Sequence, residues 1–207
     1  DAVELISTLD LGSYQSQSAF NYPDNSFGDD IKLIAQLLTQ QISIDGGPQQ
    51  SLGITAATVD FGGWDDHNEI QPLSTNSNRF GGRIGALADG LRAFYDDMEA
   101  RGMANDIAVV VQTEFGRQIT ENANRGNDHG LGAPLMVLGG GVDNRNNQGA
   151  ARLFGTWNGV SDSTSDSLIP RTDFRQVLAT TVDGLMGNNN VGTVFPGLTY
   201  QPIDFLV

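Results

Sequence analysis

The chain has 207 residues, 39% apolar and 17% charged, the make-up of an ordinary globular protein with one sizeable core. With 25 acidic residues against 11 basic ones its formal charge is −14, which argues against nucleic acid as a partner, because phosphate backbones are gripped through positive charge. The lack of cysteine removes disulfides, thiolate metal sites and cysteine nucleophiles together, and no apolar run reaches membrane-spanning length.

Residues 1–25 are mixed and polar, with a loop at Tyr22-Pro23-Asp24-Asn25. Ile31, Ile34, Leu38 and Ile42 then fall at three- and four-residue steps, which predicts a helix starting near Ser26 or Asp29 and stopped by Gly46-Gly47-Pro48. Ile54 to Phe61 reads as a strand. From Asn78 to Arg101 the stripe Phe80, Ile84, Leu87, Leu91, Phe94 and Met98 predicts a long amphipathic helix, with Gly102 as the residue just past its end. The unbroken run Ile107-Ala108-Val109-Val110-Val111 reads as a strand covered on both faces, as in a parallel sheet.

Pro134 to Leu138 is a further strand, and a hairpin strand is expected near Arg152 to Trp157. Thr172 would cap a last helix through Phe174, Val177, Leu178, Val182 and Leu185, closed by Gly187, and the tail reads as loop with an edge strand. No repeat or low-complexity linker splits the chain, so one domain over residues 1–207 is expected. The order of elements argues for α/β with a mainly parallel sheet, in which residues 54–60 and 107–112 are parallel neighbours and the 78–101 helix is their crossover.

Both histidines sit beside carboxylates, each downstream of a predicted strand. In Gly62-Gly63-Trp64-Asp65-Asp66-His67, an extended backbone turns Asp65 and His67 to one side and Asp66 to the other. In Gly126-Asn127-Asp128-His129-Gly130 the adjacent Asp128 and His129 diverge, so each could serve one of two ions, or one could ligate while the other supports it. Surface loops with solvated histidines are the plainer reading of either cluster alone. Together they make Asp65, His67, Asp128 and His129 candidate ligands of a divalent metal.

Thr113-Glu114-Phe115-Gly116-Arg117 follows the most buried-looking strand. Glu114 and Arg117 could form a structural ion pair. Alternatively Glu114 orients a metal-bound histidine and Arg117 holds an anionic substrate in its planar fork. Gly139-Gly140-Gly141 lacks the spacing of a dinucleotide fingerprint, and Trp64 and Trp157 are pocket-lining or simply buried.

Gly63-Trp64-Asp65-Asp66-His67, Glu114-Phe115-Gly116-Arg117 and Gly126-Asn127-Asp128-His129, in this order, resemble the successive motifs of the bacterial domain-of-unknown-function 1501 family, a sulfatase-like group within the alkaline phosphatase superfamily. The resemblance runs from about Phe27 to the C-terminus and takes in the long helix and the Gly139 to Val142 turn. It implies a doubly wound α/β core with one or two divalent cations, zinc, manganese or calcium, at the strand ends. It further implies hydrolysis of phosphate or sulfate esters of an anionic small molecule or glycan, and export by the twin-arginine route.

The superfamily's nucleophile region has no counterpart before Phe27, and no histidine follows His129. With Asp1 in place of a methionine, the chain is expected to be the C-terminal part of a longer exported precursor. By itself it is expected to hydrolyse aryl esters no faster than a metal-stripped control. A non-catalytic secreted protein that keeps the fold is the alternative.

Overall fold

The computed structural model describes residues 13–43, 46–70, 80–143, 152–157, 159–161, 163–164 and 166–206. Its contacts gather the chain into two compact units, Asp1–Trp64 with Leu73–Met103, and Asp65–Pro72 with Ala104–Val207. No linker in the sequence marks the division.

In the first unit α1 spans Ser26–Thr39. It starts because the Asn25 side chain accepts the Gly28 N–H at 2.9 Å, filling one of the donor positions that a helix leaves open at its first turn. Expected to run to Ile42, the helix stops at Gln40, whose backbone turns extended, and Gln41–Ile42 (β1) instead pairs antiparallel with Gln50–Ser51 (β2). The long helix α2 covers Phe80–Ala100, and Gly102 takes the left-handed conformation (φ 72°) that ends such a helix; Asn78 lies outside the described residues.

The buried face of α2 is Gly90, Ala93, Phe94, Asp97 and Met98, while Ile84 is exposed. It packs on α1, whose own buried residues include Phe27, Ile31 and Ala35. Gly90 makes this approach possible, since a Cβ there would fall 2.5 Å from Phe27 Cε1. Phe27 stacks on Phe61 at 4.4 Å between ring centres, and Phe61, Trp64 and Phe80 continue the chain of rings edge to face. Trp64 thus belongs to a half-buried aromatic cluster.

The expected strand at residues 54–60 is absent: the segment is irregular, and the parallel pairing with 107–112 does not form. A β-prone run becomes a strand only when another backbone saturates its N–H and C=O groups, and propensity says nothing about that partner. Every sheet pairing among the described residues is antiparallel.

The second unit is organised by one folded-back ribbon. After a 3-10 turn at Ala104–Asp106, β3 (Ala108–Val111) pairs with β6 (Met136–Gly139). Nested inside, β4 (Gly116–Arg117) pairs with β5 (His129–Gly130). Residues 112–115 on the outgoing side are matched by 131–135 on the return, so the two pairings share nearly one register. The valine run therefore meets its own continuation coming back.

Beyond it, β7 (Ser163–Thr164) and β8 (Ser167–Leu168) form a hairpin, which a bridge from Ser167 to Gln118 ties to the ribbon. The strand expected at 152–157 is loop, with Leu153 and Trp157 exposed. Helix α3 (Phe174–Gly184) is capped by Asp173, which accepts the Arg175 N–H at 3.0 Å, one residue past the expected Thr172. The short α4 (Val191–Val194) leads into a tail held to α3 by Gln176 and Thr180 and bridged at Leu206 to Val142.

Candidate functional site

The nested ribbon and one strap of chain build the site in the second unit. Arg117 and His129 are cross-strand partners in β4–β5, so their side chains rise on the same face. The strap is 65–70. It is fastened to the loop before β5 by an Asn68–Arg125 bridge and by the N–H groups of Glu69 and Ile70, which donate to Asn124 O at 2.9 Å and Arg125 O at 2.8 Å. Glu69 and Arg125 also form an ion pair across this junction. At Gly126 the backbones almost touch, and a Cβ would lie 2.2 Å from the His67 carbonyl carbon. Only glycine fits there with His67 in place.

Asp65 and His67 face the same way, as the alternation of an extended segment requires, and His67 Nε2 lies 2.9 Å from Asp65 Oδ1. His129 Nε2 is 2.8 Å from the same oxygen and 3.2 Å from His67 Nε2. Arg117 Nη2 donates to Asp65 Oδ1 at 2.8 Å, and its Nη1 donates to Asn127 O at 2.7 Å. Phe115 lies flat against the His129 ring, 4.0 Å between centres and 18° from parallel.

On its far side His67 turns Nδ1 to Asp128 Oδ1 at 2.8 Å. When the neutral imidazole donates its Nδ1 proton to Asp128, the Nε2 lone pair is directed toward Asp65 and His129. Asp128 is in turn steadied by Asn122, whose Nδ2 donates to it at 3.0 Å. The hydrogen bond from His129, followed by that from Arg117, holds the Asp65 carboxyl below the usual carboxylate range against the opposing effect of burial. His67 and then Asn122 do the same for Asp128.

One carboxylate oxygen and two imidazole nitrogens from Asp65, His67 and His129 lie within 4.8 Å of one another. A four- to six-coordinate ion roughly 2.0–2.2 Å from each ligand keeps neighbouring ligand atoms roughly 2.8–3.6 Å apart. The separations of 2.8, 2.9 and 3.2 Å fall in that window, so the three atoms can share a single ion. Asp65, His67 and His129 are each about half exposed, which leaves the far side of such an ion open to solvent.

All four expected metal residues meet at one locus, but in two roles. Asp65, His67 and His129 converge, while Asp128 supports His67 from behind, the second of the two arrangements open in the sequence. Arg117 is at the site and engaged with Asp65. Glu114 is not: it is exposed in the bend before β4 and, among the described residues, holds neither histidine. Alternation puts Phe115 and Arg117 on the side of His129 and leaves Glu114 out of phase.

Asn122 carries the greatest organising load without having been singled out from sequence. The available signal was an Asx residue four positions before a glycine, a turn-forming spacing. Residues 50–190 match a protein family described as "Protein of unknown function (DUF1501)". No curated protein and no solved structure matches the chain significantly.

Proposed function

The chain belongs to the DUF1501 family, and from that membership and the geometry above we propose that it binds a divalent cation through Asp65, His67 and His129 and acts on phosphate or sulfate esters. The observation that carries the reading is the convergence of three electron-pair donors on one point. Three such atoms within 4.8 Å repel when each presents a lone pair, a repulsion that a cation between them relieves, and Arg117 donates to Asp65.

Two imidazoles and one carboxylate suit zinc or manganese better than calcium, which favours six to eight oxygens. Three protein ligands with an open side is also the donor count of catalytic rather than structural zinc sites. A cation there would polarise an ester oxygen and offset the negative charge that develops during hydrolysis. The chain's own contribution is orientation. Asp128 keeps the proton on His67 Nδ1, Arg117 turns one Asp65 oxygen toward the histidines, and Phe115 holds the plane of His129. Export, expected from the family resemblance, is part of this proposal.

One observation favours a second reading, cation-dependent binding without turnover. Arg117, the group expected to grip a substrate anion, is already engaged with Asp65 and with Asn127 O.

Titration calorimetry with zinc and with manganese on the metal-stripped protein tests the proposal. About one equivalent is expected for the wild-type protein and none for the His67→Ala/His129→Ala variant; equal stoichiometry in both would falsify the ligand assignment. Turnover of aryl phosphates or sulfates that vanishes in the double variant supports the hydrolase and overturns the expectation that this chain alone lacks the attacking group, whereas stoichiometric binding without turnover meets that expectation and is what the second reading also requires.

A further inference from the structure

We propose that Asn122 is the positioning residue of this site, setting cation affinity through Asp128 and the backbone of His67; the inference rests on the Asp65–His67–His129 reading above. Both ends of its side-chain amide are in use. Oδ1 accepts the N–H of Asn124 at 2.9 Å and of Gly126 at 3.0 Å, while Nδ2 donates to Asp128 Oδ1 and to His67 O, each at 3.0 Å. Two N–H groups can only donate and the two oxygens can only accept, so the amide has one consistent orientation. Its main chain closes the same turn, N–H to Gly126 O at 2.8 Å and C=O from the Arg125 N–H at 3.1 Å.

One residue therefore ties the turn at 122–126 to both halves of the His67–Asp128 pair. The turn delivers Gly126 against the His67 carbonyl carbon, where a Cβ would fall 2.2 Å away. Nδ2 then fixes the two things that aim the His67 lone pair. Donation to His67 O holds the backbone from which the ring springs. Donation to Asp128 Oδ1, the oxygen that also meets His67 Nδ1 at 2.8 Å, fixes the carboxylate that keeps the proton on Nδ1. The other end of the amide serves only the turn. These two duties can be separated by substitution.

Asn122→Asp keeps the shape and an oxygen for the two turn N–H groups, yet can donate to neither Asp128 nor His67. Asn122→Ala loses both duties. Zinc affinity of each variant is read by calorimetry. The His67 tautomer is read by long-range nitrogen–proton NMR on the cation-free chain.

If Asn122 positions His67, Asn122→Asp loses about tenfold or more in affinity, as removal of an outer support of a metal ligand does. It also loses the fixed Nδ1–H form, and adding it to Asp128→Asn produces little further loss. The added negative charge would by itself attract a cation, so a drop comes from the disturbed His67–Asp128 pair and not from long-range electrostatics. Wild-type affinity and tautomer in Asn122→Asp, with losses only in Asn122→Ala, would show a turn residue and overturn the inference. Zinc failing to bind the wild-type chain removes the cation reading instead, and the tautomer, measured without cation, still decides on Asn122.

Discussion

Asp97 in the first unit and Asp65 in the second are both carboxylates ringed by polar groups, and their surroundings differ in sign. Asp97 is fully buried on α2 and takes five donors: Tyr14 OH at 2.7 Å, Ser16 OH at 2.9 Å, Gln17 N–H at 2.9 Å, Tyr22 OH at 3.0 Å and Arg101 Nε at 2.9 Å. The chain itself satisfies every lone pair that matters. Asp65 is half exposed, takes one arginine, and otherwise faces two imidazole nitrogens, each able to present either a proton or a lone pair. A carboxylate closed by donors is a fastening. One that shares its oxygen with two imidazole nitrogens is the kind that the proposed cation would complete.

The sharpest way to break this contrast is to remove Asp97. Asp97→Ala leaves Arg101, two tyrosines, a serine and a backbone N–H facing a void, and breaking a buried ion pair in this way costs about 3–5 kcal/mol. Urea unfolding measures it, and a loss under about 1 kcal/mol would mean that the network is ornamental. Burial pushes the Asp97 carboxyl up, but hydrogen bonds from Tyr14, the Gln17 N–H, Arg101 and Ser16 outweigh it and hold it below its ordinary range. A depressed folded value contributes stability that is fully present above the unfolded pKa of about 3.9 and is lost as pH falls through the lower folded value. Asp97→Asn is therefore expected to flatten the acid limb of stability below about pH 4.

Neither carboxylate was equally visible in the sequence. Asp65 and His67 announce themselves because a two-residue step on extended backbone sets both side chains on one side, a rule that needs no tertiary partner. The helices around Ile31 and Phe94 were legible for the same reason, since their periodicity is local. Asp97 was invisible: it interrupts an apolar stripe, and its donors Tyr14, Ser16 and Tyr22 come from more than 70 residues away. The parallel pairing of residues 54–60 with 107–112 failed in another manner, although 108–111 is a strand. Their composition is strand-like, but which backbone pairs with 107–112 is decided by the chain folding back at 116–130, a non-local event that no window on the sequence contains.

The complementary test adds the proposed cation to the second unit. A ligand that binds only the folded chain stabilises it by about 2.7 kcal/mol at one hundred times its dissociation constant, enough to raise the thermal midpoint by several degrees. Zinc or manganese at such an excess is expected to give this shift in the wild-type protein and in Asp97→Asn, and none in His67→Ala. A shift that follows Asp97 and ignores His67 would invert the roles assigned to the two carboxylates.

The smallest expected effect sharpens the contrast from within the site. Phe115 stacks flat on His129 and also lies under the Arg117 guanidinium, 5.0 Å from ring centre to carbon, yet it offers no ligand atom. Its contribution is to restrict the plane in which His129 presents Nε2, and an aromatic pair of this kind is worth about 0.5–1.5 kcal/mol. Phe115→Leu keeps the apolar contact and removes the flat face, so zinc affinity is expected to fall by roughly two- to tenfold, and Phe115→Tyr is expected to stay near the wild-type value. Calorimetry separates the two variants. If Phe115→Leu abolishes binding as completely as His67→Ala does, the site is held by packing rather than by converging donors, and the distinction between a carboxylate closed by its own chain and one completed by a cation no longer explains it.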